Sequence, residues 1–156
     1  MFNIQNLCEF LVKAKKSTYA SGDAAQKTVG ADKSTTLIFE DGDWKYHDNY
    51  FGGEPYGGRE VVFFQGSPVY IMTYYGLVND KIPEFAEVYK TLQNALLLIP
   101  ADKPYRGPER YENGEYLYVN NFVGEVDNFS GEEIITYNGE EAYRAKYMGG
   151  LVDQRR

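Results

Sequence analysis

The chain has one cysteine and one histidine, which removes most of the side chains that metal and nucleophilic sites are built from. Cys8 has no partner for an internal disulfide, which is compatible with a reducing compartment. On an apolar helical stripe it is expected to pack as a small core residue rather than attack anything. With His47 the only imidazole, a metal would rest on carboxylates alone. No D-x-D-x-D-G loop or E-x-x-H helix supplies them, so no metal or cofactor is expected. G-x-S-x-G and G-x-x-x-x-G-K-[ST] are absent, and no catalytic residue is assigned. No run of 18 apolar residues exists, so no spanning helix is expected. The first ten residues, MFNIQNLCEF, lack the basic-then-apolar order of a secretory signal. A cytoplasmic location is the expectation. Basic residues number 16 against 23 acidic ones, a net charge of −7. That balance argues against a nucleic-acid partner, which calls for clustered cations. The basic groups at Lys13, Lys15, Lys16 and at Arg155, Arg156 read as solvated helix and tail ends.

Aromatic residues are plentiful: 15 Tyr, 9 Phe and one Trp, 16% of 156 residues. Such residues favour strands, and tyrosine adds a polar tip to an apolar body. A chain of this length is expected to form a single domain, residues 1–156, able to bury roughly 70% of its unfolded surface. Asn3 caps a helix running to about Lys16, with Ile4, Leu7, Cys8, Leu11 and Ala14 on its apolar face. Residues 22–34 hold almost no large apolar side chain and read as a long mobile loop. Pro83 opens a second helix with Phe85, Val88, Tyr89, Leu92, Leu96 and Ile99 along its stripe, and Pro100 closes it.

The remaining sequence is written twice. Phe39–Gly52 (FEDGDWKYHDNYFG) aligns with Tyr111–Gly124 (YENGEYLYVNNFVG), with five of the 14 pairs identical. Tyr56–Gly76 aligns with Phe129–Gly149, one residue further on, with six of 21 identical. Identity falls on turn glycines and alternate strand positions, as a tandem duplication would leave it. The expected fold is α+β: a helix–hairpin–hairpin unit used twice, in halves 3–80 and 81–151, with about eight mainly antiparallel strands, two helices and a pseudo-two-fold between them.

Candidate site residues follow from the alternation. Trp44, Tyr46 and Asp48 share a face, matched by Tyr116, Tyr118 and Asn120, and an acid or amide among rings there needs partners. Tyr74 and Tyr147 are likewise equivalent, and with Trp44, Tyr46 and Tyr118 they would line a groove between the halves. Glu60 and Glu133 stand at matching strand starts, each two residues after a glycine. They serve either as acid and base or as a cation site between rings, or they accept backbone N–H groups from the preceding turn. Arg106, in Tyr105-Arg106-Gly107-Pro108, has Ser34 at its first-half offset; it would clamp an anion or pair with Glu109 or Asp48. Tyr19, just past the first helix, either reaches the sheet or closes the core. Val69, Ile71 and Tyr75 make an apolar outer face in the first half only.

The segments STYAS, WKYHDNYFGG, PVYIMTYYG, YRGP and SGEEIITYNGEEAYRAKYMGG together resemble a bacterial domain family of unassigned function. Some of its members follow an N-terminal Xre-type helix-turn-helix, while others stand alone. The resemblance covers nearly the whole chain, with Tyr70 where the family usually has Trp. It implies a cytoplasmic bacterial domain with a sensing role when coupled to a DNA-binding module, which this sequence lacks, and it brings no catalytic residues. The expected function is a non-enzymatic, sensor-like domain binding a planar or cationic small molecule. Two alternatives stay open: a hydrolase using Glu60 or Glu133 with Asp48, and a homodimeric or partner-docking domain.

Overall fold

The computed structural model describes residues 1–18, 20, 26–82 and 84–155. The element order is α1 (Ile4–Ser17), β1 (Thr28–Val29), β2 (Thr35–Asp41), β3 (Trp44–Gly52), β4 (Tyr56–Phe64), β5 (Ser67–Val78), α2 (Ala86–Leu96), β6 (Arg110–Asn113), β7 (Tyr116–Glu125), β8 (Asn128–Tyr137) and β9 (Glu140–Leu151). All the strands form one antiparallel sheet in the order β1-β2-β3-β4-β5-β9-β8-β7-β6. The fold class is α+β, with nine strands among the described residues. The strand beyond the expected eight lies in the stretch read as a loop: Thr28–Val29 pairs with β2, and Asp32 closes the intervening turn by accepting from Ser34 N and Oγ. Among the described residues no helix is long and apolar enough to cross a membrane.

Local chemistry explains the elements. Asn3 caps α1, its side chain accepting from Asn6 N at 2.7 Å. Two-residue loops join β2 to β3 and β6 to β7, with Gly42 at φ 59° and Gly114 at φ 60°, a conformation that favours glycine. The expected helix-opening Pro83 lies outside the described residues; α2 takes Phe85 as its N-cap without a side-chain bond.

Apart from β1, the strand order is symmetric about the β5–β9 pair. Tyr74 lies directly opposite Tyr147, its counterpart in the other half. From that pair outward the row runs Tyr74, Gly58, Tyr50 in one direction and Tyr147, Gly131, Phe122 in the other. A bulge interrupts β4–β5 between Val62 and Phe63, and another interrupts β8–β9 at the corresponding Ile135 and Thr136. The bulge corrects one expectation. It turns Val69 into the core beside Tyr70, so that only Ile71 and Tyr75 remain on the outer face.

Both helices cover the same sheet face. Leu7, Leu11 and Ala14 of α1 pack over Tyr46, Val62, Tyr70 and Met72; Val88, Leu92 and Ala95 of α2 pack over Tyr118, Ile135, Tyr143 and Ala145. A fully buried leucine contributes about 1.5–3 kcal/mol. Two stripe residues do not join the core, since Ile4 and Phe85 are exposed; Phe10 and Lys15 are buried instead.

The central row leaves no room for another side chain. A Cβ on Gly131 would stand 2.2 Å from the Tyr147 ring, and one on Gly58 would stand 2.4 Å from the Asn49 carbonyl. Gly131→Ala and Gly58→Ala should each lower stability by about 1–3 kcal/mol. Gly58→Ala should cost the more, because backbone yields less than a ring. Urea unfolding midpoints of the two variants check both the sign and the order.

Candidate functional site

Two glutamates occupy the middle of the covered face, and each meets a cation. Lys15, on α1, places Nζ 2.9 Å from Glu60 Oε2 and 2.6 Å from the Tyr105 carbonyl, with both charged side chains wholly buried. Burial outweighs Glu60 and holds the Lys15 pKa below its ordinary value. Across the seam Arg106 donates from Nε to Glu133 Oε1 at 2.7 Å, and Tyr118 donates to Glu133 Oε2 at 2.5 Å. Among the described residues, Arg106 pairs with Glu133 rather than with the expected Glu109 or Asp48. Side-chain cations from elsewhere in the chain answer Glu60 and Glu133, in place of backbone groups of the preceding glycine turn.

Asp48 faces Glu60 directly across the β3–β4 ladder. Tyr74 donates to Asp48 Oδ1 at 2.5 Å, as Tyr147 donates to Asn120 Oδ1 at 2.6 Å in the other half. Asn120 also donates to the Gly107 carbonyl at 2.9 Å. Burial first, and then the Glu60 charge, push the Asp48 pKa up to about 7, against the opposing pull of Tyr74, Arg106 and Lys15. Burial and the same carboxylate raise that of Tyr74.

Beside these groups lies a cavity of about 370 Å³ between the first-half strands and α2. Its polar wall carries Asp48, Tyr56, Tyr74 and Arg106; its apolar wall includes Leu37, Leu92 and Leu96. Tyr50 and Tyr89 add rings, and Arg106 stands 5.8 Å from the centre of the Tyr74 ring. The rim is tied down by Glu54, which accepts from Val78 N at 2.7 Å and from the Tyr89 hydroxyl. A second depression, about 690 Å³ but broad and open, lies on the outer face over the seam, among Tyr75, Val123 and Met148. The smaller cavity is the better candidate, because it alone of the two meets the buried charges.

Of the expected site residues, Asp48, Tyr74 and Arg106 line this cavity. Tyr46, Glu60, Tyr118 and Glu133 are buried and do not line it. Tyr147 borders the outer depression, and Trp44 is caged by Phe2, Phe10 and Phe64. Tyr19 lies outside the described residues. Sequence reasoning passed over Tyr50, Tyr56 and Tyr89. A signal for two of them was present: at Asp48/Asn120, Tyr50/Phe122 and Tyr56/Phe129 the first copy carries the more polar or acidic member each time.

Residues 48–152, about two thirds of the chain, match the model of a family described as Domain of unknown function (DUF5680). The chain belongs to this family. The match begins at Asp48 and takes in Glu60, Tyr74, α2, Arg106 and Glu133, so most of the DUF5680 cavity lies within it. No curated protein and no solved structure matches the chain.

The raised Asp48 pKa has a consequence for this DUF5680 domain. The folded state holds that proton more tightly than the unfolded chain, where the pKa is about 3.9. The stability this contributes is present below about pH 4 and is lost as pH rises toward 7. Asp48→Asn keeps an acceptor for Tyr74, as Asn120 does for Tyr147. It should raise stability at pH 8 by on the order of 1–3 kcal/mol, with a smaller gain at pH 4. Chemical denaturation at the two pH values tests this.

Proposed function

We propose that this chain is a non-enzymatic, sensor-like domain that binds a planar or cationic small molecule in the 370 Å³ cavity. One observation carries the reading: rings and leucines enclose a space in which Asp48 and Arg106 are the buried charged groups on the wall, among the described residues. The volume falls in the range of small-molecule sites, and apolar walls with a few fixed polar groups are what such sites share. With Asp48 ionised, the cluster of Asp48, Glu60, Glu133, Lys15 and Arg106 has one more negative than positive member. A ligand cation would balance it.

Binding is preferred to hydrolysis because a two-carboxylate mechanism needs both acids at the substrate. Glu60 and Glu133 face Lys15 and Arg106, and of the three acids only Asp48 lines the cavity. The resemblance to a bacterial domain family, some of whose members follow a helix-turn-helix while others stand alone, supports a cytoplasmic sensing role with the ligand as the signal.

Thermal melting against a metabolite panel tests the proposal. A ligand at 100 times its dissociation constant should add about 2.7 kcal/mol. For a cationic ligand, affinity should rise with pH up to about 7 and then level off, because the ion pair requires ionised Asp48. Isothermal titration from pH 5.5 to 8.5 should show this, and Asp48→Asn should flatten the profile. A panel without any stabilising compound would overturn the reading.

A further inference from the structure

Among the described residues, the two halves treat the same place differently. In the second half, the position corresponding to the cavity is filled by the chain itself. The Tyr105 ring lies on Phe129 with centroids 3.9 Å apart and an interplanar angle of 5°, and it meets the Phe122 ring edge-on at 5.4 Å and 85°. Its hydroxyl donates to the Gly124 carbonyl at 3.1 Å. In the sequence repeat Phe129, Phe122 and Gly124 correspond to Tyr56, Tyr50 and Gly52, and the strand registers match: Phe129 faces Gly149 as Tyr56 faces Gly76, and Phe122 faces Gly131 as Tyr50 faces Gly58. All three first-half counterparts line the cavity. The helices correspond as well, since the buried positions Leu7, Leu11 and Ala14 of α1 match Val88, Leu92 and Ala95 of α2. Tyr105 packs in the α1 cluster, whereas the cavity opens against α2.

We infer that the cavity takes a ligand bearing a single planar aromatic ring with a hydroxyl or N–H group, seated as Tyr105 is seated: face against Tyr56, edge toward Tyr50, donor toward the Gly52 carbonyl. The inference rests on the binding reading above and narrows it to a ligand class. Stacking selects a flat ring over a saturated one of equal size. The carbonyl selects a donor at the ring's far edge, because an acceptor there would leave two oxygens opposed. Asp48 replaces the neutral Asn120 of the filled half, so a positively charged substituent on the ring's other side gains a partner that Tyr105 does not need.

The probe is p-cresol, the side-chain analogue of tyrosine, with tyramine as its cationic relative and 4-methylcyclohexanol as the saturated control. Titration calorimetry of the wild-type protein should give p-cresol at least fivefold tighter binding than 4-methylcyclohexanol. Tyramine should bind tighter than p-cresol at pH 8, and the two should converge at pH 5.5. Tyr56→Leu should lose about tenfold for p-cresol and little for the saturated alcohol. Tyr105→Ala, which empties the filled niche, should bind a second equivalent of p-cresol; the wild-type comparison stands whether or not that variant folds. If only non-aromatic panel compounds bind and Asp48→Asn alters their affinity, the ring inference is overturned and the binding reading survives. If nothing binds, both are overturned. Equal affinity for p-cresol and 4-methylcyclohexanol overturns the inference. So does a tenfold gain in Tyr19→Ala, which would show that the chain supplies its own ring.

Discussion

A carboxylate set in the middle of a ring-lined sheet face must find a cation, and the interior of this domain is arranged around two such carboxylates. Removing an ion from water costs several kcal/mol, and breaking a buried pair typically costs about 3–5 kcal/mol. Glu60 and Glu133 sit at equivalent strand positions, yet their cations come from different places. Lys15 arrives from α1; Arg106 arrives from the segment after α2, where the helix itself offers Leu96 at the position matching Lys15. The same loop carries the Tyr105 carbonyl to Lys15, so residues 105–107 serve both halves at once.

This division of labour explains why the halves differ where they meet α1 and α2. Once Tyr105 is committed to the niche beside Phe129, its neighbour Arg106 is carried to the seam, where Tyr56 and Tyr74 are within reach. The first-half space keeps a polar wall and an unequal charge count. Symmetric strands thus frame an asymmetric interior, and the chemistry gathers on the side where the paired segments diverge in polarity.

Much of the scaffold was legible in the sequence. Turn glycines and period-two alternation mark the hairpins, and the aligned segments place Tyr74 and Tyr147 on one face. Lys15 was not legible: a lysine between Ala14 and Lys16 looks like part of a solvated basic cluster. Its burial depends on Glu60, 45 positions away in sequence and visible only across the sheet. Val69 defeated the alternation because a bulge adds a residue, and nothing local announces it. The cavity escaped because it lies where Tyr105 fills the matching place in the other half, a difference among the described residues that the sequence does not spell out. The acid among rings was predicted to need partners, and Tyr74 supplies one; the cross-strand approach to Glu60 that raises its pKa requires the register.

The strand order has a kinetic side. Every neighbouring pair but one joins segments adjacent in the chain, most of them through short turns, so those hairpins form by local closure. The exception is β5 with β9, which closes across the whole of α2 and the second set of hairpins. Loop entropy grows by about 0.6 kcal/mol for each doubling of length. The meeting of Tyr74 with Tyr147 is therefore the longest-range closure in the sheet, the one that joins two locally paired meanders into a single surface.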